Sequence, residues 1–125
     1  MTEQDKKRLA ADIDGLVAYE YIANHIDDDI ADIDLAITHM EAADLTGQFL
    51  ASASRYLHAI DARKFATQIE RLVSATIERD REHKYLADLL QGVYGADYRQ
   101  RAAELIATDN NFRRIYKRLY PAAPI

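Results

Sequence analysis

Three ionisable side chains fall on helical stripes that are otherwise apolar. Glu20 comes one turn after Leu16, and Arg79 and His83 interrupt a later stripe. A buried charge without a partner is costly, so each of these groups needs one. We therefore expect Glu20 to meet Arg79 or His83 in a buried polar cluster. This cluster, with the neighbouring Asp80, is the candidate ligand site of the chain.

The same side chains raise the alternative of a metal site. Asp80 and His83 are three residues apart, a spacing that places them side by side on a helix. Carboxylate oxygen and imidazole nitrogen together suit iron, manganese or zinc. Ferritin-like bundles use Glu and Glu-x-x-His for this purpose, but the chain has no Glu-x-x-His. A ferritin-like bundle with Glu20, Asp80 and His83 as ligands stays an alternative, and the main expectation is no metal and no cofactor.

A second candidate surface is basic and lies near the C-terminus. The stretch from 110 to 120 contains Arg113, Arg114, Lys117 and Arg118 together with two tyrosines. Cations of this spacing on a helix could follow a phosphate backbone while the tyrosines stack on bases. The acidic pI of about 5.3 opposes this interpretation. Nucleic-acid binding, or contact with a partner protein, is the expected use of these four residues.

Charge is distributed unevenly along the chain. Residues 1–50 carry 12 acidic and 3 basic side chains, whereas residues 99–125 carry 2 acidic and 6 basic ones. Opposite charges of this kind attract each other within one chain or between two chains. The basic tail is therefore expected either to face water or to contact the acidic half.

No catalytic arrangement is evident in the sequence. The chain has no cysteine, which excludes disulfides, thiolate catalysis and Cys-ligated zinc. No spacing links its serines to its four histidines as a nucleophilic site requires, and no glycine-rich loop could hold a phosphate. We therefore expect a protein that is not an enzyme.

One apolar stripe resembles a coiled-coil face. Its members recur at steps of three and four, and they are Ile26, Ile30, Ile33, Ile37 and Met40. Such a stripe forms either the core of the chain itself or an interface. The main functional expectation is a small binding or regulatory protein that acts through association with another protein, including a second copy of itself.

The elements that must position these residues are all helices. The periodicity predicts an all-α, antiparallel bundle of four main helices with a short two-helix C-terminal extension, in a single domain of residues 1–125. The predicted helices cover about 3–24, 28–43, 45–60, 62–91, 98–107 and 110–119. The longest runs from 62 to 91, with Asp61 as its cap and Gly92 as the residue that ends it. Pro121 and Pro124 should end the last helix and leave a short extended tail.

The sequence also makes several class-level predictions. Nowhere do about 18 apolar residues run together, so no membrane span is expected. No apolar run follows the early Lys6, Lys7 and Arg8, so no signal peptide is predicted and a cytoplasmic location is expected. No internal repeat of 30–45 residues is visible.

Overall fold

The computed structural model describes residues 1–122; residues 123–125, with Pro124 and the end of the predicted tail, lie outside the described part. Within it the chain forms eight helices and no strand. The helices are α1 (Glu3–Ala10), α2 (Leu16–Asn24), α3 (Ile30–Ala43), α4 (Gln48–Asp61), α5 (Ala66–Arg79), α6 (Leu86–Tyr94), α7 (Ala102–Thr108) and α8 (Asn110–Leu119). The predicted all-α bundle is confirmed, whereas the count of four main helices is not.

Helix α4 is the centre of the packing. It contacts α2, α3, α5 and α6, and its own buried face includes Leu50, Ala51, Ala53, Ser54 and Leu57. The small side chains at 51, 53 and 54 let neighbouring helices approach closely. Burial of this face supplies much of the apolar area that stabilises the fold.

The predicted helix 62–91 is wrong in its middle, because the structure divides it into α5 and α6. Helix α5 ends at Arg79, and α6 begins only at Leu86. The cause is Asp80, whose buried carboxylate accepts backbone hydrogen bonds from the following turn. A side chain that binds backbone N–H groups in this way competes with the helical hydrogen-bond ladder. Gly92 lies inside α6, which is followed by Gly95 at φ 97°.

The predicted helix 3–24 is also interrupted. Helix α1 ends at Ala10 and α2 begins at Leu16, after Gly15 with φ 102°. Helices 28–43 and 45–60 are separate, because α3 ends at Ala43 and α4 begins at Gln48. The last predicted helix, 110–119, agrees with α8.

The isoleucine stripe is mostly the core of this chain. Ile33, Ile37 and Met40 are fully buried, Ile26 is half-buried, and Ile30 is partly exposed. The stripe packs α3 onto α2, α4 and α5 and leaves little apolar surface for a partner. In residues 1–122, no helix combines the length and the apolar character that crossing a membrane requires.

Candidate functional site

The structure does not bring the predicted polar cluster together. Glu20 is exposed on α2, beside a small cavity that Asp5 and His25 also line. Within residues 1–122, Glu20 makes no hydrogen bond or ion pair with Arg79 or His83. The expected pairing of Glu20 with helix 62–91 is therefore absent.

Arg79 and His83 have structural positions of their own. The Arg79 guanidinium donates to the backbone oxygen of Glu41 at 2.8 Å, near the C-terminus of α3. A cation there satisfies an unpaired helix carbonyl and complements the helix dipole. His83 is exposed in the turn between α5 and α6, and its φ of 57° is left-handed.

Asp80 is not available as a metal ligand in this arrangement. Its Oδ1 accepts from the Lys84 N–H at 2.9 Å, and its Oδ2 accepts from the N–H groups of Tyr85 at 2.7 Å and Leu86 at 3.0 Å. Nor does the described part of the chain gather three or more His, Asp or Glu side chains in a metal-binding group. The proposed ligand set of Glu20, Asp80 and His83 is therefore not formed.

Asp80 belongs instead to a short hydrogen-bonded motif that occurs three times in residues 1–122. We call the segments 12–18, 44–50 and 80–86 the Asp joints, because each begins with an aspartate that connects two helices. The first connects α1 to α2, the second α3 to α4, and the third α5 to α6. In each joint the aspartate accepts the N–H of the residue six positions later, which is Ala18, Leu50 or Leu86.

The aspartate of the second joint accepts the most hydrogen bonds. The Oδ1 of Asp44 accepts from the N–H groups of Thr46 at 3.1 Å and Gly47 at 2.9 Å, and its Oδ2 accepts from Phe49 at 2.9 Å and Leu50 at 3.0 Å. The Asp44 side chain is buried, so these bonds replace water completely. A buried carboxylate requires such compensation, and the first N–H groups of a helix provide it.

The three Asp joints lie side by side. A Cβ added to Gly15 would lie 3.1 Å from the Cβ of Asp44, and one added to Gly47 would lie 3.3 Å from the Cβ of Asp80. Both glycines have positive φ, so each permits the turn as well as the close approach. The first joint is thereby packed against the second, and the second against the third.

Two apolar side chains are strongly exposed on the Asp joints. Ile13 is 89% exposed in the first Asp joint, and Leu45 is 78% exposed in the second. Leu16, at the start of α2, is 41% exposed. We call these three residues and the neighbouring turn 81–85 the junction face. Apolar side chains on loops held by several hydrogen bonds lose little freedom when a partner covers them.

Charged groups surround these apolar residues. Arg81, Glu82 and Lys84 are exposed in the third Asp joint, and Asp14 is exposed in the first. Glu82 and Lys84 form an ion pair at 2.8 Å. The hydrogen bond and charge of Lys84 lower the pKa of Glu82, and the same contact raises the pKa of Lys84. The junction face therefore carries both signs of charge.

The Asp joints were missed in the sequence, although a signal is present. Asp12-Ile-Asp-Gly15 and Asp44-Leu-Thr-Gly47 share an aspartate, an aliphatic residue and a glycine at the same spacing. Asp12 and Asp44 are 32 residues apart, and Asp80 follows after 36. The expectation of no internal repeat at 30–45 residues concerned solenoid-type repeat units, and the Asp joints are much shorter than such a unit.

The basic surface is formed by α8. Phe112 and Ile115 on one side of the helix are fully buried. Asn111 donates to the backbone oxygen of Glu70 on α5 at 3.2 Å. At the start of α8, Asp109 accepts from the Phe112 N–H and from the Tyr94 hydroxyl of α6. Burial and the Asp109 charge raise the pKa of Tyr94 well above its ordinary value, so the hydroxyl stays neutral and donates.

The opposite side of α8 is cationic. Arg113, Arg114, Lys117 and Arg118 line one open hollow of about 720 Å³. Their side-chain contacts are with Asn110, with Ser74 and with a backbone oxygen. In the described residues none of the four pairs with a carboxylate. The expected attraction between the basic tail and the acidic half is therefore not satisfied by ion pairs from α8.

Comparison with known proteins gives no assignment: no family model matches the chain, and neither a curated protein nor a solved structure is detectably similar to it.

Proposed function

We propose that this chain is a non-enzymatic binding or regulatory protein that acts through protein–protein association at the junction face. The observation that supports this proposal is the exposure of Ile13 and Leu45 on loops that aspartate side chains hold in place through backbone hydrogen bonds. Single exposed apolar residues are common, but two on adjacent, rigid loops form a preorganised contact surface. The proposed setting is the cytoplasm, with which the absence of cysteine is compatible.

The first partner we propose is a second copy of the chain. Glu82 supplies negative charge to the junction face and Asp14 adds more beside Ile13, while Arg81 and Lys84 supply positive charge. A two-fold interface brings the same surface of both copies together, so a face that carries both signs can complement itself. An apolar centre with a charged rim is also the usual arrangement of an interface.

The expected affinity is weak. Complete burial of an isoleucine or leucine side chain contributes about 1.5–3 kcal/mol, so Ile13 and Leu45 from both copies contribute roughly 6–12 kcal/mol in total. Association costs about 4–15 kcal/mol in lost translational and rotational freedom. The most favourable balance is an association energy of about −8 kcal/mol, so a micromolar dissociation constant is the tightest dimer that these side chains support.

Sedimentation velocity over about 1 µM to about 1 mM protein tests the proposal, because this range covers association energies of about −8 to −4 kcal/mol. The wild-type chain should shift from monomer to dimer with increasing concentration. The Ile13→Ala/Leu45→Ala variant should remain monomeric throughout, since it loses most of the exposed apolar area of the junction face.

A matched control is the Leu35→Ala/Ile60→Ala variant, which removes two partly exposed apolar side chains from α3 and α4. It should dimerise like the wild type. A wild-type chain that is monomeric at every concentration would contradict self-association. A variant lacking Ile13 and Leu45 that dimerises normally would exclude the junction face.

A further inference from the structure

We propose that the cationic face of α8, formed by Arg113, Arg114, Lys117 and Arg118, binds single-stranded nucleic acid. This surface is separate from the junction face and extends the proposed function. The argument rests on the arrangement of its cations, on their lack of acidic partners and on the aromatic residues beside them.

The four cations form two parallel rows on α8. Arg113 and Lys117 make one row and Arg114 and Arg118 the other, and the members of a row are four residues apart. One such step is about 6 Å along a helix axis. The face lies opposite the buried Phe112, so all four side chains project from the same outer surface around one hollow. Each row can therefore contact successive groups of a chain of anions.

Arginine predominates in this face, which favours phosphate as the anion. A guanidinium presents a planar fork of donors that matches phosphate oxygens, whereas an ammonium acts as a point charge. None of the four cations is engaged by a carboxylate in residues 1–122, so an incoming phosphate displaces water and counterions rather than an internal ion pair.

Aromatic residues border one side of the cationic face. Tyr116 follows Arg113 by three residues, so it lies beside this cation on the helix surface, and Tyr120 comes directly after the end of α8. Both are half-buried, and their ring centroids are 4.7 Å apart. The Arg99 guanidinium lies 5.9 Å from the centre of the Tyr120 ring and adds a further cation.

This border distinguishes nucleic acid from an acidic peptide. A flexible single strand can place phosphates on the cations and turn its bases towards the tyrosines, whereas an acidic peptide has no aromatic bases to stack. A regular duplex keeps its bases stacked inside, so it can use the cations alone. The geometry therefore favours a single strand over both alternatives.

Fluorescence anisotropy with a labelled oligothymidylate tests the proposal on the full chain. If all four cations contact phosphates, the logarithm of the association constant should fall with the logarithm of salt concentration at a slope of about −2.8. With that slope, the association constant should fall about 50-fold between about 50 and about 200 mM salt. The Arg113→Gln/Arg114→Gln/Lys117→Gln/Arg118→Gln variant should show no such binding.

The control replaces four exposed cations elsewhere, in the variant Lys6→Gln/Lys7→Gln/Arg63→Gln/Lys64→Gln. Both variants change the formal net charge from −5 to −9, so they alter the long-range field equally. The control should retain most of the affinity and the full salt slope. Equal loss in both variants would show that only overall charge matters, and it would overturn the proposal.

The aromatic contribution is tested by Tyr116→Leu/Tyr120→Leu, which keeps apolar volume but removes the aromatic rings. This variant should bind the oligonucleotide more weakly by about tenfold, within the range for stacked bases, and should keep the salt slope. Polyglutamate of equal charge should compete poorly. Equal binding of polyglutamate, with no effect of the leucine variant, would overturn the assignment to nucleic acid.

Discussion

At the scale of single residues, His83 was expected in a ligand site, but its distinctive feature in the structure is its backbone conformation. It is exposed, and its φ of 57° lies in the left-handed region that residues with a Cβ rarely adopt. The turn requires this conformation because Asp80 must reach the N–H groups of residues 84–86. The strained backbone at His83 therefore accompanies the hydrogen bonds that compensate the buried Asp80 carboxylate.

Substitutions of His83 test whether its positive φ affects the stability of the protein. A His83→Val variant should lose about 1–2 kcal/mol of unfolding free energy, since a β-branched residue disfavours positive φ more strongly. His83→Gly should be as stable as the wild type or slightly more stable. Urea denaturation measures both, with Glu82→Val in the same turn as the control for an added exposed valine. A His83→Val variant of wild-type stability would show that the turn can change its conformation at no cost.

At the scale of elements, the Asp joints determine where α2, α4 and α6 begin. The helical period of the sequence continues across residues 79–86, so Arg79, His83 and Leu86 fall on the same stripe as the residues of α5. Periodicity reports which residues share a face, but it does not report that a side chain binds the backbone and ends the helix. The predicted helix 62–91 was wrong for this reason.

Other parts of the fold were predictable. The range 110–119 matches α8 because Asp109 caps it and an apolar stripe opposes a cationic one. The all-α class followed from the same periodicity. The expected pairing of Glu20 was not predictable, because whether a charged residue on a stripe is buried depends on how far the neighbouring helix extends. Helix α2 begins later than expected, and Glu20 faces solvent.

Removal of a joint carboxylate should be costly. Asp44→Asn and Asp80→Asn should each lower the unfolding free energy by about 1–3 kcal/mol, because a buried amide has one acceptor oxygen and leaves N–H groups unpaired. The control is Asp29→Asn at the exposed N-cap of α3, where asparagine caps as well as aspartate. Equilibrium urea denaturation gives the three values. Equal stability of all three variants would show that the joints do not stabilise the helix starts.

At the scale of the whole molecule, stability should be greatest around α4 and least in α1. Within residues 1–122, α4 contacts four other helices, whereas α1 contacts only α2 and α3 and has Leu9 as its only buried residue. Regions with few buried contacts open locally at low free energy. Native-state hydrogen exchange should therefore show the slowest amide exchange in α4 and the fastest helical exchange in α1. Comparable protection of both helices would show that the chain opens only as a single unit.

The Asp joints also bear on how the chain folds. Each carboxylate finds its backbone donors within six residues, so a joint can close without bringing distant parts of the chain together. Contacts of such short sequence separation form faster than long-range ones. We therefore expect the three joints to form early in folding, before α4 packs against its neighbours. The same aspartates that cap these helices in the folded protein would then also fix where the helices start during folding.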